Sequence, residues 1–215
     1  MIITNFKTYE SASGAKAVEL ARVHERVAKE TGQMILVAVQ AIDLASICAS
    51  VQIPVLAQHI DAVGYGGNTG SICAESVKNA GAWGTLLNHS EKRLNRELLS
   101  QSILRAREVG LKIILCAATP EEGASFLEFE PDYIAVEPPD LIGGDVSVTT
   151  RPEVVRKAVE LIGGLKLLVG AGVKTGEDVR IAKTLGASGV LLASGVTKTK
   201  DPKAVLLDLA NGLRD

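Results

Sequence analysis

Residues 133–170 read YIAVEPPDLIGGDVSVTTRPEVVRKAVELIGGLKLLVG, and this stretch decides the fold. It opens on a short apolar run, Tyr133-Ile134-Ala135-Val136, and ends on another, Leu167-Leu168-Val169. Between them Pro152–Ile162 has the apolar spacing of one helix face. Pro152 stands where a first helical turn begins, and Gly163 follows where the helix should stop. Runs this short, apolar throughout, suit parallel strands covered on both sides. The unit is strand, helix, strand.

The same unit recurs outward in both directions. Further strand-length runs are Ile2–Phe6, Ile35–Val39, Pro54–Gln58, Thr85–Asn88, Lys112–Cys116 and Val190–Ala193. Helical patterns lie at Ala15–Lys29, Leu98–Val109, Asp178–Leu185 and Pro202–Leu213. Gly110 and Gly186 follow two of them, and Pro120 and Pro202 stand at helix starts. Eight strand-then-helix units point to an α/β chain forming a single (β/α)8 barrel across residues 1–215. An open doubly wound sheet is the alternative, weakened by the lack of GxGxxG after the first strand. Such barrels usually run to about 250 residues, so a chain of 215 must have short helices and loops.

The totals narrow the function classes. A net charge of −2 gives no reason to expect nucleic acid or an anionic membrane as partner. With 47% hydrophobic residues the chain can build a large core, yet no apolar run is long enough to span a bilayer. Met1-Ile2-Ile3 is too short for a signal peptide. Cys48, Cys73 and Cys116 are far apart and lack metal-ligand spacing, so they read as small buried hydrophobes in a reducing, cytoplasmic setting.

In a barrel of this kind the chemistry gathers at the C-terminal strand ends, and polar residues gather there. The first strand runs into Asn5-Phe6-Lys7-Thr8-Tyr9, where alternation puts Asn5 and Lys7 on the interior face. A lysine there needs a counter-charge, or else it snorkels into solvent. The fourth strand ends in Asn88-His89-Ser90-Glu91. Ser90 is placed to cap a short helix, which would set His89 beside backbone N–H groups and favour its neutral form. His24 falls in a helical pattern and reads as a surface residue. His59, after the third strand, reads as structural. The sixth strand runs into Glu137-Pro138-Pro139, where the carboxylate is either a rim acid or a base whose proton affinity rises in a dry site. Asp140–Asp145 then has a stiff entry and a Gly143-Gly144 tip, suited to a closing lid. Gly170-Ala171-Gly172 and Ala193-Ser194-Gly195 end the last two strands, and their glycines let backbone N–H groups approach an anion.

Taken together these segments resemble the triosephosphate isomerase family in its short archaeal form. The motifs that carry the likeness are Asn5-Phe6-Lys7-Thr8-Tyr9, Ala57-Gln58-His59, Thr69-Gly70, Asn88-His89-Ser90-Glu91, Val136-Glu137-Pro138-Pro139, Ile142-Gly143, Gly170-Ala171-Gly172 and Leu192-Ala193-Ser194-Gly195-Val196. They keep the family's order from one end of the chain to the other. The resemblance implies interconversion of dihydroxyacetone phosphate and D-glyceraldehyde 3-phosphate, a step of glycolysis and gluconeogenesis, through an enediolate. It implies Glu137 as base, His89 as electrophile and Lys7 as the cation over the reacting oxygens, a division of labour already described for that family. Substrate contacts would come from Asn5, Phe6, Lys7, Ile142, Gly143, Gly172, Ala193 and Ser194, with Glu91 as a buried acid supporting Lys7. No metal or organic cofactor is implied. Residues 61–70 would dock into a second subunit, giving a homodimer or homotetramer. One departure stands out: the family's lid tip usually continues Ile-Gly with Thr-Gly, and here Gly144-Asp145 follows. A carboxylate beside a phosphate is repulsive unless it points away. An aldolase would need a Schiff-base lysine at the right strand end, where only Lys7 stands, and a silent scaffold would have no need of Lys7, His89 and Glu137.

Overall fold

The computed structural model describes residues 1–144 and 146–214. Eight strands close into a barrel: β1 (Ile2–Asn5), β2 (Ile35–Val39), β3 (Val55–Ala57), β4 (Gly84–Leu87), β5 (Lys112–Ala117), β6 (Tyr133–Val136), β7 (Leu167–Gly170) and β8 (Gly189–Leu192). Each strand pairs in parallel with the next, and β8 returns to β1 with Ile3 opposite Leu191. The helices between them are α1 (Ala15–Thr31), α2 (Ala41–Cys48), α3 (Ala74–Asn79), α4 (Arg96–Glu108), α5 (Pro120–Ser125), α6 (Pro152–Ile162), α7 (Gly176–Thr184), α8 (Ser194–Thr197) and α9 (Pro202–Asn211). Several are two turns or fewer, as the chain length requires.

Strand alternation divides the core in two. Ile3, Leu36, Leu56, Leu86, Ile114, Ala135, Leu168 and Leu191 fill the barrel interior, with Met1, Trp83 and Tyr133 packed against them. Ile2, Ile35, Val37, Val55, Leu87, Ile113, Ile134 and Val190 face the helices instead. Both strand faces are thus withdrawn from water, which is why the runs read as continuously apolar rather than alternating. The larger aliphatic side chains at 25–30 cal/mol per Å² make this the main stabilising contribution.

His24 corrects a sequence expectation. It is fully buried rather than on the surface. Ala17, Leu20, Ala21 and Val27 mark the buried face of α1, and a residue four after Leu20 lies on that same face. Its Nδ1 lies 2.8 Å from the Leu20 carbonyl, which can only accept, so Nδ1 carries the proton. Nε2, 2.9 Å from the Thr4 hydroxyl, is then the acceptor. The ring sits 5.4 Å from that of Phe6. Burial pushes the imidazole pKa down to about 4, against the opposing pull of the Leu20 carbonyl. The cysteines also depart in part: Cys116 is buried, whereas Cys48 and Cys73 are half-buried.

Candidate active site

Immediately after β1 the chain turns sharply, with Lys7 in the left-handed region at φ 48°. Side chains hold this turn. Asn5 Oδ1 accepts from the Lys7 backbone N–H at 3.0 Å and from Gln58 Nε2 at 3.1 Å. Gln58 Nε2 also lies 3.0 Å from the Lys7 carbonyl and 3.3 Å from that of Ala38. Gln58 therefore ties the ends of three neighbouring strands together beneath Lys7. In the sequence Gln58 stands only within the Ala57-Gln58-His59 motif, and an amide directly after an apolar strand is its one local signal.

Lys7 Nζ pairs with Glu91 Oε1 at 2.8 Å. The lysine is nearly enclosed, its side chain 11% exposed, while that of Glu91 is 57% exposed. Glu91 is thus paired with Lys7, but it is an exposed acid and not the buried one expected. Phe6 is a second correction, because its side chain is buried in the core against His24 and does not line the cavity described below.

After β4, Asn88 takes a left-handed turn at φ 61°, with its side chain bridging the Cys116 carbonyl and the Leu94 N–H. The helix anticipated at Ser90 is instead a turn, closed by Lys92 N–H on the His89 carbonyl at 2.8 Å. The consequence for His89 survives. Its Nδ1 accepts the Glu91 backbone N–H at 3.2 Å. In the neutral ring the proton must then reside on Nε2. Burial, and next the charge of Lys7, hold the His89 pKa below its usual value, against the opposing effect of Glu91. A neutral imidazole that donates from Nε2 is the result.

Glu137 follows β6 directly and is buried. Its Oε2 lies 3.6 Å from His89 Nε2 and has no hydrogen-bond partner. Burial drives its pKa up to about 7, with Lys7 pulling it down, Glu91 pushing it up and the Cys116 thiol lowering it slightly. Space for this carboxylate comes from Gly170: a Cβ there would stand 2.7 Å from Glu137 Cγ. From sequence alone Gly170 reads as an anion-approach glycine and Cys116 as a small buried hydrophobe; their contacts with Glu137 cross from one strand to the next and leave no local signal.

Lys7, His89 and Glu137 open on one cavity of about 30 Å³, together with Asn5, Ile142, Gly143, Gly172, Ala193 and Ser194. Tyr9 also lines it, with Lys198 Nζ 4.6 Å from its ring centre. Apart from Phe6 and Glu91, every residue picked from the sequence for the site reaches this cavity. His59 does not; it bonds Asp61 at 3.1 Å and lines an adjoining cleft of about 510 Å³ with Gln58 and Glu91. Asp145, whose charge at the lid tip raised a question, lies outside the described residues. Among the described residues no cluster of His, Cys, Asp or Glu is placed to hold a metal ion, and no helix is long and apolar enough to cross a membrane.

The family model described as Triosephosphate isomerase matches residues 1–212. A triosephosphate isomerase of Methanobacterium bryantii is 45% identical over 216 residues, covering 98% of this chain and 96% of that protein. Its counterpart in Methanosarcina acetivorans is 45% identical, covering 97% of this chain and 96% of its own length. That of Metallosphaera sedula is 43% identical, with 99% and 95% covered.

Proposed function

The chain belongs to the triosephosphate isomerase family, and we propose that it interconverts dihydroxyacetone phosphate and D-glyceraldehyde 3-phosphate with Glu137, His89 and Lys7 as its catalytic residues. The observation that carries these assignments is the meeting of the three on one cavity, with His89 Nε2 3.6 Å from Glu137 Oε2. Glu137 removes a proton from the carbon beside the substrate carbonyl. A pKa near 7 suits a base that must take and return a proton near neutrality. His89, with its Nδ1 occupied by the Glu91 N–H, donates from Nε2 to the carbonyl oxygen as that atom becomes negative. The Lys7 ammonium lowers the energy of the enediolate by charge alone. A proton then passes from the neighbouring hydroxyl to the former carbonyl oxygen, an exchange we assign to His89, and Glu137 delivers its proton to the former carbonyl carbon.

Gly172, Ala193 and Ser194 would hold the phosphate through backbone N–H groups, and Asn5 would contact the triose. In this reading the segment carrying Ile142 and Gly143 moves aside to admit the phosphorylated triose and excludes water when it returns. Residues 1–215 act as one unit in this reading. The adjoining cleft beside Lys7, Gln58 and Glu91 is suited to receive residues 61–70 of a second copy, giving a homodimer or a tetramer of dimers; Tyr65 in that segment is 69% exposed. A cytoplasmic setting fits the three unpaired cysteines.

The test is a coupled assay in which purified protein isomerises glyceraldehyde 3-phosphate. Glu137→Gln keeps the shape and removes the base, and the rate should fall by orders of magnitude. Undiminished turnover in that variant removes Glu137 from the reaction.

A further inference from the structure

Asp178 sits at the third position of α7, where an acid commonly caps a helix by bonding back to the N-cap residue. It does this here: its carboxylate accepts the Thr175 N–H at 3.0 Å, and Thr175 Oγ1 accepts the Asp178 N–H at 3.2 Å. The cap, however, accounts for only part of what the carboxylate binds. Oδ2 also accepts the Lys174 N–H at 3.0 Å. Oδ1 accepts the Thr149 hydroxyl at 2.7 Å, from a residue 29 positions earlier. Thr149 and Ser147 are buried, and their hydroxyl oxygens lie 2.8 Å apart.

These two segments have different duties. Residues 146–149 are where the chain leaves the lid, downstream of Ile142 and Gly143. Residues 171–175 follow β7 and contain Gly172, which lines the cavity. The two are also in direct backbone contact. Val148 N–H donates to the Ala171 carbonyl at 3.0 Å. A Cβ on Gly172 would run into the Val146 carbonyl and stand 2.8 Å from the Ser147 Cα. Nothing about capping a helix calls for this second connection.

We propose that Asp178 is a positioning residue for the isomerisation: through Thr149 it locks the exit of the lid to the segment that carries the phosphate-binding Gly172. Binding energy gathered at the phosphate then reaches the lid through a rigid joint. This rests on the proposed isomerase function, since the lid and the phosphate contacts belong to that reading. Burial by itself would raise the Asp178 pKa, and the Thr149, Lys174, Ser147 and Thr175 donors outweigh it and hold it below its ordinary value. The joint is therefore charged over the whole working range.

Thr149→Val separates the two roles of Asp178, because it removes the 2.7 Å bond across the joint and leaves the Thr175 cap in place. Thr149→Ala, smaller and free of any clash, is measured beside it, and Thr149→Ser restores the hydroxyl. Steady-state isomerisation gives kcat and KM, and titration calorimetry with inorganic phosphate gives its affinity. Loss of a hydrogen bond to a charged group should raise KM and weaken phosphate binding on the order of tenfold in the Val and Ala variants, with Ser close to the parent. A purely structural cap leaves these constants alone and lowers only the melting temperature. Parent-like KM and phosphate affinity in whichever of the Val and Ala variants folds overturn the proposal. Should the parent protein fail to isomerise, the isomerase reading falls instead, and the phosphate titrations still decide whether Thr149 and Asp178 act on that site.

Discussion

Glu137→Gln should change how stability depends on pH, independently of any effect on turnover. In the folded protein this carboxyl has a pKa of about 7, against 4.5 for an ordinary glutamate, because it is buried. Between those two pH values the unfolded chain is already ionised while the folded one still holds the proton. A raised acid pKa means stability that is present below pH 4.5 and lost as pH climbs to 7. At about 1.36 kcal/mol per pKa unit, the full difference is about 3 kcal/mol. Glutamine has the same shape and no proton to lose. The stability of the variant minus that of the parent should therefore rise by about 3 kcal/mol across this window and be flat outside it. His24 acts in the opposite direction. Its pKa falls from 6.5 to about 4, so its contribution is present above 6.5 and lost as pH drops through 4. The Met1 amino group, lowered from 8.0 to about 6 chiefly by burial, likewise loses its contribution as pH falls. Both groups are common to the two proteins and cancel in the difference. In the parent, Glu137 and His24 oppose one another between pH 4.5 and 6.5, and the variant should show the His24 slope unopposed. Urea unfolding at half-unit pH steps, at fixed protein concentration and ionic strength, measures it. Two curves that run parallel from pH 4.5 to 8 would refute the argument, since Glu137 would then ionise as an ordinary acid despite its burial.

The same pKa sets the acid limb of the rate profile. In the free enzyme kcat/KM should fall with decreasing pH around an apparent value near 7, and His89, already neutral, should add no inflection above it. Gly170→Ala should lower kcat severely, because the new Cβ would stand 2.8 Å from Glu137 Oε1 and 2.6 Å from the Leu191 carbonyl, so the base must shift. A crystal structure with Glu137 unmoved, or unchanged kcat, contradicts this. Dilution should reduce specific activity once subunits separate, if the cleft beside Lys7 is completed by a second copy. Activity per chain that stays constant as light scattering reports the monomer removes that role from residues 61–70.

The barrel was legible because both of its strand faces are buried, which leaves short apolar runs that nothing else in the chain imitates. Strand ends were less so. The apolar run starts at Pro54 but the third strand begins at Val55, since proline has no N–H to donate to a ladder. Gly84 was left out of the fourth, although a glycine is needed there because a Cβ would strike the Lys112 backbone. Within the site, Lys7, His89 and Glu137 announced themselves as polar residues directly after apolar runs. Their supports did not. Gln58, Cys116, Gly170 and Asp178 act on partners that are distant in sequence, and a single sequence carries no sign of such pairings. The same holds for His24, whose partner Thr4 is twenty positions away and on another element. Histidine is intermediate in its preference for burial, and α1 gave no polar neighbour on that face to mark the pairing. Glu91 was misjudged in the other direction: its partnership with Lys7 was anticipated, but not that it would be met at the rim.

One further pattern bears on why this site is rigid. Among the described residues four non-glycines have positive φ: Lys7, Asn88, Glu130 and Ala171. Three of them stand within two residues of the ends of β1, β4 and β7, each at or beside a residue of the cavity. Parallel strands deliver their ends pointing the same way, so side chains leaving them diverge around the barrel rim. A left-handed residue turns the chain abruptly at the rim. For asparagine this conformation is mild, but for lysine or alanine it costs about 1–3 kcal/mol. Such turns persist only where the surroundings dictate them. Lys7 is held by Asn5, Gln58 and Glu91, Asn88 by Cys116 and Leu94, and Ala171 by Val148. The buried barrel beneath offsets that strain, and Lys7 and His89 consequently leave turns that the surrounding hydrogen bonds hold in place.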